Sequence, residues 1–371
     1  MFRANLVEGG LKAAMQKLLE AGVEPERLVQ TLPDVIGPMI NQAAEVIVDA
    51  MMRTQAAMLE EHRSILEQFD AELAESWGNA FDAFYAGIVA AEESASGYHQ
   101  WALEEGLEAG ERFLALTQLS ARTVLVAKEV LTLLRGGFAN GASVRRRTLH
   151  ELAVIAIVLA ENPPSLSHRY LRYEAVERWQ DAQDYQEHVG QLNEAPLTDA
   201  EIDEVGLAYD EVMLEFGKGF NAGYGWAAPL FPAGKGASFE KLERLAGISH
   251  LHPYYKLDSH HMHAGSKGLL LNQVQLPDGD GLGLMTGPAD RGISDVADGA
   301  LISLGEVMIA FLLHGTQSPP SPDAVLVTLV LDRMLTRARD AFVTANAARE
   351  PIPLVVEEPL TKTGEPGTPE A

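Results

Sequence analysis

The chain has 371 residues, a formal net charge of −25 and no cysteine. The lack of cysteine excludes disulfides, thiolate metal sites, iron–sulfur clusters and cysteine nucleophiles. The negative charge opposes sequence-independent binding to phosphate backbones, so we expect no non-specific nucleic-acid partner.

The N-terminal third of the chain is predicted to be helical, because its apolar residues recur at helical spacing. We expect these helices to form an N-terminal layer over residues 1–135. Glycine and proline set the predicted helix ends. The predicted helices cover residues 11–19, residues 33–69, residues 71–106 with a break at Trp77-Gly78-Asn79, and residues 107–135.

Residues 136–347 are predicted to form a core helical domain. Thr198 and Glu201 have the spacing of a capping box, which predicts the start of a helix. The predicted helices cover residues 142–161, 165–188, 198–216, 238–246, 253–264, 294–314 and 322–346, with glycine-rich loops at 217–236 and 275–292. Residues 348–371 are proline-rich and polar, and we expect disorder there. The predicted fold class is all-α, a multi-helix bundle with long loops and a disordered C-terminal tail.

The hydropathy pattern favours a soluble, cytoplasmic protein. The first 20 residues mix charged with apolar side chains and lack the apolar stretch of an export signal. The longest uninterrupted apolar run, Leu152–Ala160, has nine residues, whereas a membrane span needs about 20. We expect no membrane partner. The apolar stripe at Met51 and Met52 is compatible with a core or with a homo-oligomer.

An arginine-rich segment leads into the most apolar helix of the chain. Arg147 and Glu151 are four residues apart, so they share one helix face, and so do Arg146 and His150. A helix that is apolar on all sides is buried on all sides. If Glu151 is buried it needs a cation, and Arg147 is its natural partner.

A second polar segment lies between His250 and His263 and holds five of the eleven histidines. On a helix, Tyr255, Ser259 and His263 form a single polar stripe. A stripe that combines a phenol, a hydroxyl and an imidazole is unusual for a plain surface. We predict that it faces the Arg147/Glu151 pair across the core.

Three separated motifs stand out in the second part of the chain. They are Arg147-Thr148-Leu149-His150-Glu151-Leu152, Tyr224-Gly225-Trp226-Ala227, and Tyr255 with Ser259 and His263. Together they resemble the bacterial domain-of-unknown-function family numbered 5677. The likeness covers roughly residues 131–271. It implies an α-helical fold in which an Arg/Glu helix faces a Tyr/Ser/His helix, and it implies no activity, cofactor or substrate.

The leading functional hypothesis is a non-enzymatic module that binds a partner or a small anionic or nucleotide ligand, without a cofactor. Arg147 would hold a phosphate or carboxylate through two hydrogen bonds, and Tyr255 and Ser259 would orient it. The residues predicted to line the pocket are Arg147, His150, Glu151, Tyr255, Ser259 and His263.

A metal-independent ribonuclease is the first alternative. Arg145 and His150 have the spacing of the motif in HEPN-like (higher eukaryote and prokaryote nucleotide-binding) helical bundles, which this segment weakly resembles. Histidine could move the 2′-hydroxyl proton and arginine could stabilise the phosphorane. However, a five-residue step on a continuous helix turns by about 140°. The two catalytic side chains would then diverge unless the helix starts at Arg147 or later. The setting would be a stress or phage response.

Two further interpretations stay open. His260, His261 and His263, with Glu151 or Asp258, could ligate a metal ion. On a helix, however, only His260 and His263 could share one ion. Alternatively, the polar residues form a buried network that sets the helix register and has no other role.

Overall fold

The computed structural model describes residue 12 and residues 15–107, 110–275, 281–316 and 319–349. Helices make up most of these residues, and one two-stranded hairpin is the only sheet within them. The all-α prediction is confirmed. The tail predicted to be disordered, residues 348–371, lies outside the described residues from residue 350 onward.

The secondary structure follows the predicted order, but the helices predicted separately over residues 33–69 and 71–106 form one continuous helix. Residues 15–20 are helical. Short 3-10 helices occur at Lys218–Asn221, Gly225–Leu230 and Ser249–Leu251. The α-helices are α1 Pro25–Glu104, α2 Glu111–Arg135, α3 Ala139–Glu161, α4 Pro164–Arg172, α5 Glu174–Leu192, α6 Asp199–Phe216, α7 Phe239–Leu245, α8 His252–Met262, α9 Ser266–Leu270, α10 Ile293–His314 and α11 Pro322–Ala347, and the strands are β1 Gln273–Gln275 and β2 Leu282–Leu284.

The chain forms two compact units, residues 1–71 and residues 72–371. We predicted a boundary near Arg135, but α2 lies in the second unit with the core helices. The cause is its apolar face, where Leu116 and Leu134 are fully buried and pack among α3, α4 and α10.

The predicted break at Trp77-Gly78-Asn79 was wrong, because α1 continues through these residues. Trp77 is almost fully buried, and its ring lies 6.0 Å from that of Phe342 on α11. A single glycine costs a helix only about 1 kcal/mol. Burial of a tryptophan side chain outweighs that cost.

Helix α10 lies at the centre of the second unit, packed against α2, α3 and α11. Among the described residues it is the one helix long and apolar enough to cross a membrane, with a mean hydropathy of 1.9 over the relevant window. Ser303 and Glu306 interrupt its apolar residues, so it contains no apolar run longer than that of α3. In this fold, 61% of that window is buried inside the protein, as expected for a core helix.

Three segments between residues 164 and 292 test the predicted helix ends and loops. The helix predicted over residues 165–188 is two helices, α4 and α5, separated at Tyr173. The predicted capping box is confirmed, since the Thr198 hydroxyl accepts the Glu201 N–H at 3.3 Å and the Glu201 carboxylate accepts the Thr198 N–H at 2.8 Å. Within the loop predicted over residues 275–292, residues 282–284 form β2, which pairs antiparallel with β1.

Candidate functional site

Helices α3 and α8 pack against each other and bring two of the predicted motifs together. The Tyr255 hydroxyl donates to a Glu151 carboxylate oxygen at 2.9 Å and accepts from Arg147 Nη2 at 2.6 Å. Arg147 Nη2 also lies 3.2 Å from the Glu151 carboxylate. Arg147, Glu151 and Tyr255 therefore form one polar network, as predicted from the pairing of Arg147 with Glu151 and from the Tyr255 stripe that faces them.

Aromatic packing fixes the position of Tyr255. Its ring stacks on that of Phe239, with centroids 4.7 Å apart, and the Arg147 guanidinium lies 4.6 Å above it. Burial raises the pKa of Tyr255 to about 12, an effect that the hydrogen bond from Arg147 only partly offsets. The phenol stays protonated at neutral pH and serves as a hydrogen-bond donor to Glu151.

A fully buried carboxylate joins two histidines beside this network. His150 on α3 and His252 on α8 each donate a ring N–H to a different oxygen of Glu243 on α7, at 2.7 and 2.6 Å. Glu243 has no exposed surface. Burial lowers the pKa of His150, although the hydrogen bond to Glu243 opposes this shift. His150 is thus held in a structural bridge between α3 and α7.

A buried ion pair forms the third part of the polar centre. Arg146 Nε donates to Asp258 Oδ2 at 2.8 Å, and a second bond joins Nη2 to Oδ1. Nη1 donates to the main-chain carbonyl of Asp295 on α10 at 2.8 Å. A Cβ atom on Gly299 would approach the Arg146 side chain to 2.7 Å, so a larger residue there would require Arg146 to shift.

The predicted pocket lining omitted three of the most buried members of this centre, Arg146, Asp258 and Glu243. Helical spacing had placed Arg146 on one face with His150, and Asp258 was considered only as a metal ligand. The sequence did not indicate that these two residues pair with each other. Glu243 sits in a short charged helix that resembles a solvated surface, and its burial arises from tertiary packing alone.

Ser259 and His263 do not join the network as predicted. The Ser259 hydroxyl donates to the carbonyl of Tyr255 in its own helix at 2.9 Å. Helix α8 ends at Met262, so His263 adopts an extended conformation and is exposed. Within the described ranges, no three histidine, aspartate or glutamate side chains are placed to hold a metal ion. The structure thus gives no support to the proposed histidine metal site.

The pair proposed for ribonuclease chemistry is also separated. Arg145 donates from Nε to Glu129 on α2 at 2.5 Å, whereas His150 points toward α7. The divergence follows from the helical geometry, because α3 already starts at Ala139 and is continuous through both residues.

Comparison with known proteins identifies the segment that carries this geometry. Residues 113–281 match the model of a family of unknown function, DUF5677. This segment belongs to the DUF5677 family. The match confirms the resemblance predicted for residues 131–271 and extends beyond it at both ends. No curated protein and no solved structure matches the chain.

Two cavities flank the polar centre of the DUF5677 segment. The first, of about 290 Å³, lies among α3, α8 and α10. It is lined by Arg146 and by three carboxylates, those of Asp258, Asp295 and Asp298. Because Arg146 already bonds to Asp258, the described residues that line this cavity offer an anion no free guanidinium.

The second cavity, of about 400 Å³, lies where α3 and α10 begin, and we call it the α3–α10 cavity. Phe138 pairs with Ala289 in a β-bridge, and the Ala289 N–H donates to the Gly137 carbonyl at 2.9 Å. Arg291 and His261 supply its basic groups. The lining residues are Gly137, Phe138, Ala139, Asn140, Gly141, His261, Leu271, Asn272, Met285, Thr286, Gly287, Ala289, Arg291 and Gly292.

Proposed function

We propose that this protein is a non-enzymatic module that binds a small anionic ligand in the α3–α10 cavity. The observation that carries the proposal is the charge of the lining. Within the described residues the cavity is lined by Arg291 and His261 and by no carboxylate, although the chain as a whole carries a net charge of −25. A described lining without acidic groups, in so acidic a protein, favours an anion.

Backbone groups add to this positive lining. Ala139, Asn140 and Gly141 at the start of α3, and Gly292 before α10, all border the cavity. Neither N-cap residue, Phe138 or Gly292, caps its helix with a side chain. The first-turn N–H groups of both helices therefore lack a capping side chain, and helix N-termini attract anions.

The size of the cavity suggests the class of ligand. About 400 Å³ falls within the range of small-molecule sites and exceeds the volume of one tetrahedral oxyanion. Polar side chains at the cavity include Thr286 and the Asn140–Asn272 pair, whose amides are joined at 2.8 Å. These groups suit a phosphomonoester or carboxylate with a small organic body.

The contacts at Arg147 favour this cavity over the pocket predicted from sequence. Arg147 is already bonded to Tyr255, Glu151 and the Met262 sulfur. A ligand there would have to displace these partners. Arg291, in contrast, makes no hydrogen bond or ion pair within the described part of the chain, so it can bind a ligand without losing a protein contact.

Calorimetric titration with sulfate and with phosphate tests the proposal. We expect saturable binding of one anion per chain, weakened by at least about tenfold in Arg291→Ala, because a hydrogen bond to a charged group contributes about 1.5–3 kcal/mol. Arg244→Ala is the matched control, since Arg244 is exposed and pairs with Glu240 four residues away. Equal affinities for the wild type and Arg291→Ala would exclude Arg291 from the site.

Anion binding should also depend on pH through His261. Burial lowers the pKa of His261, and the positive charges of Arg146 and His260 lower it further. A bound anion favours the imidazolium, so the pKa of His261 is higher in the complex and binding takes up a proton. Sulfate affinity should therefore rise as the pH falls from about 8 to about 6, where sulfate itself keeps its charge.

Titrations in buffers of different ionisation enthalpy measure this proton uptake directly. His261→Asn should remove most of the pH dependence while retaining binding at high pH. An unchanged pH profile in His261→Asn would show that another group is responsible.

A further inference from the structure

A separate cleft of about 760 Å³ opens among α2, α3, α4, α5 and the turn before Trp226. Four aromatic side chains line it, and within the described residues no lysine, arginine or histidine does. The lining consists of Leu114, Gln118, Ile155, Tyr170, Leu171, Tyr173, Glu174, Glu177, Gly223, Tyr224 and Trp226. We propose that this aromatic cleft binds an organic cation of the quaternary ammonium class.

The aromatic walls are the first argument. Tyr170 meets Trp226 edge to face, with centroids 5.1 Å apart, and Tyr173 and Tyr224 complete the lining. The face of an aromatic ring carries negative charge density that attracts cations. Quaternary ammonium groups suit such walls best, because they form no hydrogen bonds and lose little hydration on entering an aromatic site.

The turn that carries Tyr224 and Trp226 is held rigidly. Arg169 donates to the carbonyls of Gly225 and Trp226 at 3.0 and 2.9 Å. A Cβ atom on Gly225 would lie 2.1 Å from the Phe220 carbonyl oxygen, so only glycine fits. Tyr224 adopts a left-handed backbone conformation, with φ of 57°, and such strain in a non-glycine residue is concentrated at functional sites.

The same turn is anchored from the opposite wall. The Tyr173 hydroxyl donates to the carbonyl of Ala222 at 2.8 Å. This bond ties the end of α4 to the residues just before Tyr224. The cleft is thus preformed, and a ligand would bind without first having to order its walls.

The carboxylates of Glu174 and Glu177 supply the negative charge that would attract a cation to the cleft. Glu174 pairs loosely with Arg178 at 3.8 Å. Glu177 has no cationic partner within the described residues, and burial together with the charges of Asp181 and Glu174 raises its pKa. Arg122 is near enough to act on Tyr170 but does not line the cleft. The uncompensated negative charge therefore lies at Glu177, beside the aromatic walls.

Calorimetry with choline and with its uncharged carbon isostere, 3,3-dimethyl-1-butanol, tests the proposal. The two molecules have the same shape and differ in charge. We expect choline to bind at least about tenfold more tightly, since the cation contributes through both the rings and the carboxylate. Glu177→Gln should reduce that preference by about tenfold, and Glu187→Gln, an exposed position on α5, should leave it unchanged.

Three results would overturn the assignment. They are equal affinity for choline and the isostere, no measurable binding of choline to the folded protein, and unchanged choline affinity in Glu177→Gln. Because Glu177 lies at the rim of the cleft and is only partly covered by protein, this variant is expected to fold, which its circular dichroism and melting temperature check. The cleft shares no residue with the α3–α10 cavity, so the two proposals succeed or fail independently.

Discussion

Replacing Asp258 with alanine should lower the free energy of unfolding by about 3–5 kcal/mol. Arg146 is 5% exposed and Asp258 is 2% exposed, and the two side chains share two hydrogen bonds. The substitution leaves a guanidinium buried without its counterion. Denaturant unfolding followed by circular dichroism measures the loss. Lys256→Ala, an exposed change on the same helix, should alter stability by no more than about 0.5 kcal/mol.

The double variant Arg146→Met/Asp258→Leu separates the cost of an unpaired charge from the contribution of the pair. Replacing both members with apolar groups of similar volume is often neutral or stabilising. We therefore expect it to recover most of the stability lost in Asp258→Ala. A loss below about 1 kcal/mol in Asp258→Ala would show that water reaches Arg146 and that the pair is not buried.

The second large effect is expected for Glu243→Ala, at about 3 kcal/mol or more. Removal of this carboxylate leaves the ring N–H groups of His150 and His252 without their acceptor and opens a cavity between α3, α7 and α8. Glu240→Ala is the matched control on the same helix. Glu240 is exposed and contacts Arg244 only across one helical turn.

Glu243→Gln refines this test. The amide keeps the volume of the side chain and one acceptor oxygen, but its NH₂ group would face one of the two histidines as a second donor. An intermediate loss is expected, again from denaturant unfolding. If Glu243→Ala were as stable as Glu240→Ala, the histidine–carboxylate–histidine bridge would have no role in joining α7 to the core.

Local signals predicted most of the fold. Thr198 and Glu201 marked the start of α6, and the Gly136-Gly137 pair marked the end of α2. Long-range packing decided the rest. Burial of Trp77 against Phe342 stabilises α1 across Gly78, where a break was predicted. Tyr173 separates α4 from α5, which were predicted to be one helix.

Helical spacing also predicted one part of the site, the network of Arg147, Glu151 and Tyr255. Arg147 and Glu151 share a face, and α8 brings Tyr255 to them. The same rule failed for His263, because α8 stops at Met262 and the stripe ends with it. A stripe predicted from periodicity extends only as far as the helix does.

The α3–α10 cavity could not have been predicted from the sequence. Most of its lining comes from residues 137–141 and 285–292, which lie far apart in the chain and meet through the bridge between Phe138 and Ala289. The first segment lies between the helices predicted over residues 107–135 and 142–161, and the second lies within the loop predicted over residues 275–292. No local sequence pattern predicts that the N-termini of α3 and α10 lie close together.

Amide chemical shifts during a sulfate titration test the central claim most directly. In the wild-type protein, the backbone N–H signals of residues 139–141 and 293–295 should shift together and saturate with one affinity. In Arg291→Ala the same signals should shift only at far higher sulfate concentration. Shifts that are scattered over the surface, or that are identical in the two proteins, would contradict an anion site between α3 and α10.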